Sequence, residues 1–164
     1  MIREKTTSFE KEIGENAMRR WSIPRAAFVV VGLSPWLLSP ARAWLPLGEA
    51  GALLDAAFGA ICHRIPERTL TLAGVAMPVC SRCAGIFAGA AAGALVARPA
   101  LSPGAWRLWM IAASLAMLAD VVARGAGLYP GCHAARLATG FSFGYTIAAA
   151  CVDMLRRERG QPSA

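Results

Sequence analysis

Lysine is nearly absent from this chain. Its 164 residues hold only Lys5 and Lys11, and 16% are charged, against about 25% in an ordinary soluble domain. Histidine is as scarce, with His63 and His133 the whole supply. Acidic residues number 10 against 17 Lys and Arg, a formal net charge of +7. A chain this poor in charge and 56% hydrophobic is excluded from disorder and is a poor fit to an ordinary soluble enzyme. It has no Ser-His-Asp arrangement, phosphate-cradling glycine loop or nucleotide fingerprint, and no internal repeat or low-complexity tract. What remains is a composition suited to a lipid bilayer.

Breaking the chain at its charges leaves four long uncharged stretches, 26–41, 83–97, 108–119 and 137–152. Each falls short of the roughly 20 residues that cross a hydrocarbon core of about 30 Å. Each gains a turn where a flanking arginine snorkels its guanidinium to the interface. The expected fold class is therefore all-α, an integral membrane helical bundle of about four transmembrane helices with a Cys/His-containing extracytoplasmic loop. The spans are expected at about 26–47, 82–98, 106–123 and 135–154, in one membrane domain, 25–155, between tails at 1–24 and 156–164. Pro35, Pro40 and Pro46 argue against an ideal straight helix in the first. Asp120 enters the outer end of the third, where an ionisable group needs a partner, and Arg124 or Arg136 is expected to provide it. A short helix over 48–61 would carry Leu53, Leu54, Ala57, Phe58 and Ile61 on one face, suited to the membrane interface.

Gly85, Gly89 and Gly93 form a doubled G-x-x-x-G, and Gly140 and Gly144 repeat its spacing. Small residues at this interval let helices approach closely in lipid, so these are read as packing positions. They would also suit a membrane protein partner or a second copy of the chain.

With four spans, Arg3, Lys5, Lys11, Arg19, Arg20, Arg25, Arg98, Arg107, Arg156, Arg157 and Arg159 share one side, which is 11 of the 17 basic residues. Arg42, Arg64, Arg68, Arg82, Arg124 and Arg136 take the other. The positive-inside rule puts both termini in the cytoplasm of a bacterium, in its inner membrane. Splitting the basic residues between two faces argues against nucleic-acid binding. An alternative for 26–43 is a cleaved signal peptide ending at the small-residue sequence Ala41-Arg42-Ala43; either way the next segment is extracytoplasmic.

Chemistry concentrates in that segment. Cys80-x-x-Cys83 can hold one metal ion from a tight turn or close a redox disulfide. Cys62, separated from Cys80 by 17 intervening residues, and the adjacent His63 would complete a four-ligand set. Thiolates with one imidazole suit zinc, or a thiophilic ion such as copper(I). Topology brings Cys132 and His133 to the same face as additional candidate ligands, whereas Cys151 lies in the last span and reads as packing. Arg64, Arg68, Arg82 and Arg136 oppose the topology rule and crowd the Cys/His motifs. Guanidinium forks bind carboxylate or phosphate at two points, so an anionic lipid or substrate headgroup is a fitting partner; the alternative is that these arginines pair with Glu67 and Asp120 or contact ordinary lipid phosphates.

At these residues the chain resembles a prokaryotic family of small integral membrane proteins, the domain of unknown function 2085. Its members carry Cys-His-x-x-x-x-Arg and then Pro-x-Cys-x-Arg-Cys-x-Gly opening a transmembrane helix. Here these are Cys62, His63 and Arg68, then Pro78, Cys80, Arg82, Cys83 and Gly85. A later element pairs an Asp near one helix end with Arg-x-x-Thr-Gly at the next, matched by Asp120, Arg136, Thr139 and Gly140. The similarity runs over roughly 58–144. Where the family often has Asn three residues before that Arg, this chain has His133, and Cys132 looks peculiar to it. The resemblance implies a multi-pass topology and this motif set.

Three functions follow from these residues. The first is an extracytoplasmic metal site, with zinc as the default ion. The second is a membrane thiol–disulfide oxidoreductase, whose layout resembles that of the quinone-linked disulfide-generating membrane proteins; against it, the second loop offers one cysteine rather than a second pair. The third is a non-enzymatic subunit or scaffold of a membrane complex. Catalysis on a phospholipid or polyprenyl phosphate by the arginines is a weaker fourth.

Overall fold

A computed structural model of the chain describes residues 2–45, 48–96 and 101–158. Pro46, Arg98, Arg159 and the end of the C-terminal tail lie outside them. The order is α1 (Ile2–Trp44), α2 (Gly48–Ile61), a 3-10 turn at Pro66–Arg68, β1 (Thr69–Leu72), β2 (Val75–Cys80), α3 (Ser81–Val96), α4 (Pro103–Gly125) and α5 (His133–Arg157). Ile23–Trp44, Pro103–Gly125 and His133–Leu155 are long and apolar enough to cross a membrane. The fold class is the expected helical membrane bundle. α3 is apolar but has only 16 residues, about 24 Å at 1.5 Å per residue.

α1 runs on through Pro24, Pro35 and Pro40. A proline in a helix frees the carbonyl four residues back, and for Pro35 that carbonyl is Val31. The Ser34 hydroxyl donates to it at 2.7 Å, which is how membrane helices tolerate proline.

α3 is the centre of the bundle and packs on α5 and α1. The glycine spacing is used in full. A Cβ on Gly93 would lie 2.5 Å from the Tyr145 carbonyl oxygen. Cβ atoms on Gly85 and Gly89 would clash with the backbones at Leu137 and Phe141, and on Gly140 and Gly144 with those at Arg82 and Ile86. Both helices are therefore bare where they cross, and backbone meets backbone. Gly32 does the same for α1, its Cβ position lying 2.5 Å from the Phe87 carbonyl oxygen. Trp36 Nε1 then donates to the Ala84 carbonyl at 3.1 Å.

α4 buries only Trp106, Ala113 and Asp120, one side chain every seven residues, along a narrow stripe. Leu108, Trp109, Ile111, Leu115, Leu118 and Val122 stay exposed, as a lipid-facing surface requires. The stripe is held by polar contacts at both ends. Trp106 Nε1 donates to Asp153 at 2.8 Å, and Asp153 also accepts from Arg157 at 2.9 Å. At that same end Arg25 donates to the Ala94 and Leu95 carbonyls of α3 at 2.9 and 3.1 Å, a cation at a helix C-terminus.

The opposite end carries a two-stranded antiparallel hairpin that the composition did not lead us to expect. Ala73 and Gly74, with φ of +53° and +78°, make the tight turn, and the register pairs Leu72 with Val75 and Thr71 with Ala76. Met77 and Val79 point into a cluster with Phe58, Cys62 and Ala84, backed by Trp36 and Phe87. In α2 only Gly51 and Phe58 are buried, so Leu53 and Ile61 of the apolar face remain exposed.

Candidate metal centre

β2 ends at Cys80 and α3 begins at Ser81, so the C-x-x-C pair spans a strand-to-helix junction. Buried Pro78 and Val79 anchor the strand, and Gly85 lets α3 close onto α5. Cys62 arrives at the end of α2, and its sulfur accepts from the Cys80 N–H at 3.2 Å. The three sulfurs of Cys62, Cys80 and Cys83 all lie within 4.8 Å of one another, with Cys62 buried and the other two half-buried. Zinc–thiolate bonds of about 2.3 Å set tetrahedral sulfurs roughly 3.8 Å apart, so a small closure would bring all three onto one ion. The cluster could hold a metal ion.

The local electrostatics favour a thiolate. The Cys83 thiol donates to the Cys80 sulfur, and the first backbone N–H groups of α3 and the Cys62 thiol add to it. Together they outweigh burial and hold Cys80 down at about 5, well below the ordinary thiol range.

The remaining candidates divide. His63 is exposed and outside the sulfur cluster, although it lines the same cavity. The chain turns immediately after it at Arg64, whose φ of +49° is in the left-handed region, and this carries Arg64 toward Asp55, 2.8 Å away. Asp55 also pairs with Arg42 at 2.9 Å, and this hydrogen bond, with the charges of Arg42 and Arg64, keeps its carboxyl below the usual range. Cys132 and His133 are exposed and outside the cluster. Cys132 instead caps α5, its sulfur accepting from the Ala135 N–H at 3.3 Å. Cys151 lies near the far end of α5.

The expected partner of Asp120 is corrected. Its carboxylate takes a hydrogen bond from Arg82 on α3 and another from the Tyr129 hydroxyl, and neither Arg124 nor Arg136 pairs with it. Arg82 stands in the first turn of α3 while Asp120 comes in the last turns of α4. These antiparallel helix ends lie at the same level, a proximity that sequence distance hides. Arg124 and Arg136 instead turn into a cavity of about 260 Å³ between the thiols and α4, with Arg64, Arg68 and Arg82 also on its wall.

A family model described as a predicted membrane protein, DUF2085, matches residues 62–150, more than half of the chain. The chain belongs to the DUF2085 family. The match starts at Cys62 and takes in the thiol cluster, Asp120 and Arg136, so every residue of this site outside α1 and α2 belongs to the family region. Two uncharacterized archaeal proteins are similar. One, from Methanocaldococcus jannaschii, is 32% identical over 101 residues, 57% of this chain and 63% of its own length. The other, from Methanothermobacter thermautotrophicus, is 61% identical over 33 residues, 20% of this chain and 30% of its own length. The chain thus covers less than two thirds of either relative. No solved structure matches it.

Proposed function

We propose that this DUF2085 protein is a four-span membrane protein that binds zinc at an extracytoplasmic Cys62/Cys80/Cys83 centre. The single observation that carries the reading is the convergence of three sulfurs from two separate segments, the end of α2 and the β2–α3 junction, one of them favoured as thiolate. Three thiolates leave one position of a tetrahedral ion open, and His63, which lines the same cavity, is a protein group suited to fill it. A filled fourth position makes the ion structural, pinning α2 and the hairpin to α3; a position left to water makes it reactive.

For topology, the short α3 serves as the second span, supported by its full backbone contact with α5. Retention of residues 26–43 as a span, rather than loss as a signal peptide, is favoured by Gly32, Arg25 and Trp36, all seated on α3. Both termini are assigned to the cytoplasm. In support, Arg25 and Arg157 lie at the end opposite the five cavity arginines.

Metal analysis of protein purified from zinc-supplemented cells in mild detergent tests the centre. About one zinc per chain is expected, falling to background in Cys80→Ser and Cys62→Ser. Background metal in the wild type, or metal unchanged by both substitutions, overturns it. The thiol–disulfide reading keeps one specific support, a low-pKa Cys80 at a helix N-terminus with a resolving Cys83 beside it. Alkylation in intact cells separates the two readings. Labelling of Cys80 and Cys83 that appears only after reductant favours the redox function.

A further inference from the structure

Arg64, Arg68, Arg82, Arg124 and Arg136 share one cavity, and its carboxylates do not balance them. Arg64 is matched by Asp55 and Arg82 by Asp120. Among the described residues, no carboxylate pairs with Arg68, Arg124 or Arg136. Arg136 is 4% exposed, and its Nη2 has no hydrogen-bond partner; Arg82 Nε is buried and lacks one too. Folding rarely leaves guanidinium donors orphaned at such depth, because the desolvation of each goes uncompensated.

The arrangement also brings like charges together. Arg124 and Arg136 meet over Gly131, whose φ is +68°. A Cβ there would stand 2.9 Å from Arg124 Cδ and 3.2 Å from Arg136 Nη2. Arg124 also feels the fields of Arg68 and Arg82. Arg82 and Arg136 each sit in the first turn of a helix, so the N-terminal ends of α3 and α5 add partial positive charge to the same space. A doubly negative group with several acceptor oxygens would relieve this repulsion and satisfy both orphaned donors. Guanidinium forks match phosphate geometry in particular. The cavity, at about 260 Å³, far exceeds the roughly 10–15 Å³ that one water needs.

We propose that this cavity is a binding site for a phosphate-type oxyanion, held by Arg136, Arg124, Arg68 and the free edge of Arg82, with the anion either free in solution or carried as a lipid phosphomonoester headgroup. The site uses guanidiniums rather than thiolates, so it stands independently of a metal at the cysteines.

Calorimetric titration of the detergent-purified full chain tests it, with inorganic phosphate in one arm and dihexanoyl phosphatidic acid in the other. Dihexanoyl phosphatidylcholine serves as the diester comparison. Saturable binding of phosphate, of phosphatidic acid or of both is expected. Phosphate alone identifies a soluble anion, and phosphatidic acid alone a headgroup; each supports the site. Arg136→Gln and Arg124→Gln should each weaken binding about tenfold or more. Arg157→Gln, at the other end of the bundle, should leave it unchanged.

Arg136→Gln also carries a signature that loss of a structural contact would not give. It should raise the unfolding temperature in phosphate-free buffer, because an unpaired buried charge is gone, while shrinking the rise that phosphate produces. Cys80→Ser should retain binding. Absence of saturable binding to both probes, or binding unaltered in both arginine variants, overturns the proposal. So does binding lost in Cys80→Ser but retained in the arginine variants, since a metal would then hold the anion.

Discussion

Asp120 and Arg136 show how differently two buried charged residues can be treated within one site. Asp120 is 8% exposed, and its carboxylate is met by both Arg82 and Tyr129. Removing its charge leaves the Arg82 guanidinium half-buried without a counter-charge, so Asp120→Asn should cost about 3 kcal/mol of stability. Tyr129→Phe removes one hydrogen bond to a charged acceptor and should cost about 1.5 kcal/mol. Denaturant midpoints in mild detergent, at constant slope, would measure both; equal effects would contradict the ranking. Asp120 was legible from the sequence, because a charge within an apolar stretch calls for a partner. Tyr129 was not, and neither was which of the outside arginines would reach the carboxylate. Arg124 is four residues from Asp120 and Arg82 is 38 away, yet antiparallel packing makes the distant residue the neighbour. The cysteines follow the same logic. The closeness of Cys62 to Cys80 and Cys83 was readable from spacing and shared sidedness, whereas Cys132 has a local alternative, capping its own helix, that wins over long-range convergence.

At the scale of elements, helix pairing was the most readable feature. Glycines four residues apart on two apolar stretches predict a close crossing, and α3 and α5 cross on those five glycines. Gly89→Ala and Gly144→Ala should each cost about 2 kcal/mol or more, since the new Cβ has only backbone to displace. Gly59, with open space around it on α2, is the contrast: Gly59→Ala should stabilise by about 0.5–1 kcal/mol through helix propensity. Thermal midpoints of the three variants side by side would decide whether the effect belongs to the crossing or to glycine in general. The hairpin was missed, although Thr69-Leu-Thr-Leu followed by Ala-Gly carries an alternation and a turn dipeptide. Four-residue strands give a short periodic signal, and the adjacent metal-ligand spacing also suits an irregular loop. α1 went the other way. Its prolines signal interruption, but a serine beside Pro35 takes up the freed carbonyl, a compensation visible only once the helix is built.

For the whole molecule, the apolar excess was a sufficient guide to the class, and charge sidedness is its most exposed consequence. Cys132 is exposed at the end that carries the five cavity arginines, and Cys151 lies near the opposite end. A membrane-impermeant maleimide applied to intact cells should label Cys132 and spare Cys151 until lysis. Labelling of Cys132 only after lysis would invert the assigned orientation.

The shortness of α3 has a further effect. Helices of 22 and 23 residues surround a central one of 16, and about 24 Å of helix is set against a hydrocarbon layer of about 30 Å. With α3 as the proposed second span, its arginine-bearing end would draw the polar boundary inward, thinning the bilayer beside the cavity or seating it below the surrounding glycerol level. On that proposal acyl-chain length would become a control on the site. Shorter-chain lipids would match the central helix and relax the dimple, while longer chains would deepen it, bringing neighbouring headgroups over the cavity mouth.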